Sequence, residues 1–148
     1  YGYWPEKLVE PAVRLAVNSF SCVNAAAQWA GIAALEGPQD AVREMVAAFD
    51  ERRRTIVAGL NQIEGLSCVT PGGAFYAFPN IRGTGMTSKE LEQALLEEAG
   101  VATIAGTSFG VEGEGYLRLS YANSLENIKA ALERIGNWLS ERRSSDIP

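Results

Sequence analysis

Tyr116-Leu117-Arg118-Leu119-Ser120-Tyr121-Ala122 alternates side chains with the two-residue period of a β-strand. That period puts Tyr116, Arg118 and Ser120 on one face and Leu117, Leu119 and Tyr121 on the other. The second face reads as core, so Arg118 is a cation on an otherwise apolar strand. It follows directly on residues 106–115, a loop punctuated by Gly106, Gly110, Gly113 and Gly115. Burying a guanidinium without an anion is costly, and its flat fork matches a carboxylate at two points. Pattern alone leaves two readings open: a ligand-binding arginine, or one that faces solvent or is paired within the protein.

Working back from this strand, residues 101–105 are expected to form a short apolar strand, preceded by a helix from Thr87 or Ser88 through Ala99 that Gly100 closes. Leu91, Leu95 and Leu96 are its inward residues. Residues 66–70 and 74–78 read as two strands joined by a turn at Pro71, Gly72 and Gly73, and their spacing predicts that they pair. A long helix over 39–63 carries Val42, Met45, Val46, Phe49, Ile56, Val57 and Leu60 at three- and four-residue steps. Before it, 5–17 reads as a helix despite Pro11, and 23–35 as an alanine-rich helix apolar all round, the pattern of a buried element. Ser19 and Ser21 are the expected caps of that helix. Beyond the strand, a helix starting at Ser124 buries Ile128, Ala131, Leu132, Ile135, Trp138 and Leu139, and 142–148 is expected to fray. The class is α/β, with an α+β unit at the C-terminal end.

Composition removes several functions. The chain of 148 residues is 47% hydrophobic, enough for a core, and its formal charge of −5 argues against a phosphate-binding surface. No partnership with nucleic acid is therefore expected. Histidine is absent, which excludes histidine metal sites, Ser-His-Asp triads and a histidine base within this chain. No metal site is expected. The glycines after Phe109 do not have dinucleotide-binding spacing and precede a strand where that motif needs a helix. Cys22 and Cys68 read as buried structural thiols, consistent with a cytoplasmic setting. No stretch has the length of a membrane span, the opening residues Tyr1 to Pro5 have no signal-peptide pattern, and the missing initiator methionine suggests lost upstream residues. Arg52, Arg53 and Arg54 read as a solvated helix face.

Several collinear motifs carry a resemblance. The run from Tyr116 to Ala122 with Ser124, Glu126 and Asn127 resembles the motif of class I and II aminotransferases, the aspartate-aminotransferase-like pyridoxal-phosphate enzymes of fold type I. Asn18-Ser19 with Ser21-Cys22, Gln28, residues 33–35 and Gly37-Pro38 resemble the last part of that family's large domain. Residues 52–54 with Leu60, Pro71, Gly73-Ala74-Phe75-Tyr76 and Gly106-Thr107-Ser108-Phe109-Gly110 resemble landmarks of its small domain. The resemblance implies that 1–38 ends the large, cofactor-binding domain, 39–65 is a connecting helix, and 66–148 is the small C-terminal domain. It implies that Arg118 binds the α-carboxylate of an amino acid, with Gly73, Phe75 and Phe109 near the substrate side chain. It also implies pyridoxal 5'-phosphate as cofactor, amino acids and 2-oxo acids as substrates, and a homodimer.

The family's Schiff-base lysine precedes the segment that Tyr1-Gly2-Tyr3 resembles, and Lys7, Lys89 and Lys129 do not stand in its place. No catalytic residue is therefore expected in this chain, and transamination by it alone should fail. Two alternatives stay open: a lyase or synthase of the same superfamily, and a non-catalytic amino-acid-binding module.

Overall fold

A computed structural model describes residues 2–145. Its chain divides into two units, with the boundary between Ala41 and Val42.

The first unit holds α1 (Glu6–Phe20) and α2 (Ala25–Glu36). Pro11 lies inside α1, which runs on through Asn18, Ser19 and Phe20 and ends at Ser21 with φ 62. The cap of α2 is neither Ser19 nor Ser21. Asn24 does the capping, its side chain accepting from the Ala26 amide at 2.8 Å. No residue of α1 or α2 is buried, and Trp29 and Leu35 are 73% and 74% exposed. Cys22 is exposed too, a correction to the buried thiol expected there.

The second unit begins within α3 (Asp40–Gln62) and continues with β1 (Tyr76–Ala77), α4 (Ser88–Glu97), β2 (Ile104–Ala105), β3 (Leu117–Ser120) and α5 (Leu125–Ser145). The three short strands form an antiparallel sheet in the order β1-β3-β2, so the arginine strand is central. One face of β3 supplies Leu117, Leu119 and the adjoining Tyr121 to the core. Ile56, Val57 and Leu60 of α3 meet them there, with Leu91 and Leu95 of α4 and Ile128, Ile135 and Leu139 of α5. Each such leucine or isoleucine contributes about 1.5–3 kcal/mol of burial. The stripe on α5 is the expected one. Leu96 is exposed, and so are Val42, Met45 and Val46 on the first turns of α3.

Two further expectations fail. Residues 66–70 do not pair with 74–78. Ser67 instead bridges Asn80, and the Cys68 backbone is satisfied by the Asn61 side chain, which donates to its carbonyl at 2.9 Å and accepts from its amide at 2.8 Å. A side-chain amide thus takes the ladder bonds a neighbouring strand would have made. The other failure is the tail, since α5 extends through residues 142–145; the rest of that tail, 146–148, lies outside the described residues.

Candidate functional site

Tyr76 pairs with Ser120 and Ala77 with Leu119, so β1 lies antiparallel beside β3 with Tyr76 two residues diagonal from Arg118. On the other side Ile104 of β2 pairs with Arg118 itself. A diagonal cross-strand neighbour is within reach of long side chains. The Arg118 guanidinium carbon lies 4.3 Å from the centroid of the Tyr76 ring.

A second ring comes from the glycine-rich loop. Residues 106–113 fold as two short 3-10 turns, Gly106–Phe109 and Val111–Gly113, and the first delivers Phe109 to 4.2 Å from the same guanidinium carbon. The loop closes on itself where Gly106 and Gly113 meet. A Cβ at Gly106 would lie 2.2 Å from the Gly113 oxygen, and one at Gly113 would lie 2.0 Å from the Gly106 oxygen, so both positions need glycine.

The loop is also fastened to α4. Thr87 caps that helix in a capping box with Glu90, which leaves Ser88 fully buried at the first helical position. The Ser88 hydroxyl accepts from the amides of Gly115 at 2.9 Å and Tyr116 at 3.2 Å. The Glu114 carboxylate accepts from the Ser88 amide at 2.9 Å and the Gly115 amide at 3.0 Å. A buried serine and a loop carboxylate thereby set where β3 begins.

More aromatic side chains extend the site. Tyr76 is backed by Phe75, centroids 4.5 Å apart, and Phe78 stands edge-on to Phe109 at 6.4 Å and stacks on Tyr116 at 5.4 Å. Arg82 lies over the far side of this group, 5.0 Å from the Tyr116 ring, and donates to the Glu114 carbonyl at 3.0 Å. Arg118 is half-buried, and no ion pair or hydrogen bond joins its guanidinium to any described residue. Its charge is held by ring faces, while its hydrogen-bonding edges carry no partner among the described residues.

Of the residues the sequence nominated, Arg118 and Phe109 stand together, and Phe75 reaches Arg118 only through Tyr76. Gly73 and Phe75 line a separate apolar groove of about 480 Å³ with Met45, Val46, Phe49 and Tyr121. Its turn is pinned by Ala74, at φ 59, whose carbonyl accepts from the Tyr121 hydroxyl at 2.9 Å. Arg53 closes one end, pairing with Asp50 at 2.6 Å and donating to the Pro71 carbonyl at 3.1 Å; it is not the solvated residue expected, although Arg54 is exposed. The two arginines hold the Asp50 carboxyl below its usual range, Arg54 most strongly. Burial pushes the Cys68 thiol up. Sequence reasoning missed Tyr76. Its signal was the alternation of Tyr76 and Phe78 about Ala77, which became useful only once β1 was known to pair with β3.

Lys7, Lys89 and Lys129 are all exposed. The described residues contain no group of three or more side chains able to hold a metal, and no helix long and apolar enough to cross a membrane.

Comparison with known proteins adds three findings. Residues 2–135 match the family model described as aminotransferase class I and II. The chain is 39% identical over 141 residues to an aspartate aminotransferase of Pyrococcus abyssi, and 42% over 147 residues to one of Geobacillus stearothermophilus. Those matches cover 94% and 96% of this chain but 36% and 37% of the relatives, so it spans little more than a third of their length. Among solved structures, the aromatic aminotransferase from Pyrococcus horikoshii OT3 superposes with a TM-score of 0.82 at 40% identity, covering 94% of this chain and 37% of that one.

Proposed function

This chain belongs to the class I and II aminotransferase family, and on that premise we propose that it is the C-terminal part of a pyridoxal-phosphate-dependent aminotransferase in which Arg118 grips the substrate α-carboxylate. The observation that carries this reading is a guanidinium held against two rings with no anion on it among the described residues. An amino acid and a 2-oxo acid both carry a carboxylate beside the carbon that exchanges nitrogen. One arginine therefore serves both directions of the reaction, fixing orientation through two parallel hydrogen bonds. Family membership implies dependence on pyridoxal phosphate, which when bound supplies the electron sink for the substrate α-carbon.

The described residues do not fit that group by themselves, because Lys7, Lys89 and Lys129 are exposed and none stands at the position that the family's Schiff-base lysine would take. We assign its attachment to residues outside this chain and expect the isolated chain to be inactive. On the same reading 1–38 ends a large domain, 39–65 connects, and 66–148 is the small domain of a cytoplasmic homodimer. The substrate side chain would lie toward Phe109, Phe75 and Gly73.

Steady-state kinetics of the full-length protein carrying Arg118→Ala test this function. Losing one partner of a desolvated charge pair costs about 2–5 kcal/mol, so kcat/KM for the amino acid should fall by about 30-fold or more with the fold intact. An unchanged kcat/KM removes Arg118 from the site.

A further inference from the structure

We propose that Tyr76 is a positioning residue for the carboxylate site: its ring and that of Phe109 hold Arg118 between them, so that the guanidinium meets a ligand by its edge alone. The inference rests on Arg118 being the carboxylate grip and adds a residue to which no role has been given.

The geometry makes the argument. Both ring centroids lie within 4.3 Å of the guanidinium carbon, inside the range where a cation is drawn to an aromatic face. Tyr76 and Phe109 form no ring pair with each other among the described residues, as expected of two plates on opposite sides of one planar cation. Each plate packs against a further ring, Tyr76 against Phe75 and Phe109 against Phe78. They also come from different elements: Tyr76 from β1, and Phe109 from the loop that Ser88 and Glu114 fasten to α4.

Two consequences follow from covering both faces. An arginine side chain loses rotamer freedom when it grips a ligand, and here the plates restrict it in advance, so less is lost on binding. The faces are also closed to stacking, which leaves only N–H groups lying in the guanidinium plane. A carboxylate presents two oxygens in a plane and satisfies that edge at two points. A flat aromatic group finds no face to stack on. The device therefore favours the acid group of the substrate and keeps its side chain off Arg118.

The test uses the full-length protein and two carboxylates without an amine, succinate and propionate, measured by calorimetry. Tyr76→Leu should weaken both by about threefold to thirtyfold, the range of one cation–π contact, and Tyr76→Phe, which restores the ring, should recover most of the loss. In an Arg118→Ala background Tyr76→Leu should change nothing further, because Tyr76 acts through Arg118. Should Tyr76→Leu fold poorly, Phe109→Leu removes the other plate at a residue that is 52% exposed. Side-chain NMR of Arg118 gives a ligand-free readout: its Nε–H proton should lose the Tyr76 share of its ring-current shift in Tyr76→Leu, the Phe109 share remaining, and keep both in Tyr76→Phe. An affinity loss of the same size in the Arg118→Ala background would reduce Tyr76 to a structural role and overturn the proposal. So would unchanged affinity in Tyr76→Leu when Arg118→Ala weakens binding, with the carboxylate reading left standing. Wild-type affinity in Arg118→Ala would instead bring down that reading and this inference with it.

Discussion

Replacing Ser88 by alanine should loosen the loop that carries Phe109 without touching the sheet itself. The hydroxyl accepts from two amides, Gly115 at 2.9 Å and Tyr116 at 3.2 Å, and its single hydrogen points toward Glu114 at 3.3 Å or the Gly113 carbonyl at 3.4 Å. Three bonds at about 1 kcal/mol each set an upper limit near 3 kcal/mol. The true cost is smaller, because Gly115 keeps the Glu114 carboxylate at 3.0 Å and Tyr116 keeps the Gly113 carbonyl at 3.2 Å, so neither amide is orphaned. About 1–2 kcal/mol remains. For a unit of this size that lowers Tm by about 4–10 °C. Thermal and urea unfolding followed by circular dichroism measures the loss, and hydrogen exchange places it. Protection should fall at the Gly115 and Tyr116 amides and hold at Leu60 and Leu95 in the core. A variant within about 0.3 kcal/mol of wild type, or with unaltered exchange at those two amides, would refute the idea that Ser88 fastens the loop.

Acid should weaken the packing of α4. Hydrogen bonds from Thr87 hold the Glu90 carboxyl below its ordinary 4.5, and those from Lys89 and the Ala105 amide do the same for Glu92. A lowered folded pKa means that this stabilisation is complete above about pH 4.5 and disappears as pH falls through the depressed values. Urea midpoints should therefore drop from about pH 6 to about pH 3, and drop less in Glu90→Gln; an equal drop in that variant would remove Glu90 from the effect. At the other end of the chain, Trp29 and Leu35 are 73% and 74% exposed on a helix with no buried residue. The isolated chain should self-associate and bind an apolar dye, and Trp29→Gln with Leu35→Gln should reduce both; light scattering that shows a clean monomer of the unaltered chain would contradict this.

What the sequence disclosed follows the range of the interaction concerned. The alternation in Leu117 to Tyr121 and the stripe from Ile128 to Leu139 are local periodicities; the structure buries the first, and of the second it buries Ile128, Ile135 and Leu139 and packs Ala131, Leu132 and Trp138 partly buried against the core. The capping box at Thr87 and Glu90 lies within one turn and was equally visible in its first residue. Pairing partners are not local. Residues 66–70 have a strand-like composition, yet the Asn61 side chain claims Cys68, and this contact between a helix end and an extended segment leaves no periodic trace. Placing 74–78 beside 66–70 hid the neighbour that matters, since Tyr76 reaches Arg118 only because β1 joins β3. The Ser88 contacts escaped for the same reason: a serine at a helix start reads as a cap, and its amide partners lie 27 and 28 residues away.

Arg118 lacks a carboxylate for a reason other than scarcity, because the chain carries 18 acidic side chains against 13 basic ones. Other arginines find them: Arg14 pairs with Glu10, Arg53 and Arg54 with Asp50, and Arg143 with Glu64. Where a carboxylate is short, carbonyls serve, as Glu114 does for Arg82 and Gly100 for Arg134. Around Arg118 the neighbouring positions are instead Tyr76, Ile104 and Phe109, which offer faces and methyl groups but no anion. Placing an acid there would have been a small change in sequence and would have neutralised the charge. Leaving it out keeps a half-buried cation with no anion among the described residues, and on the proposed function the desolvation it bears would be recovered when an acid group arrives. An arginine kept solely for stability would be better served by a partner of its own.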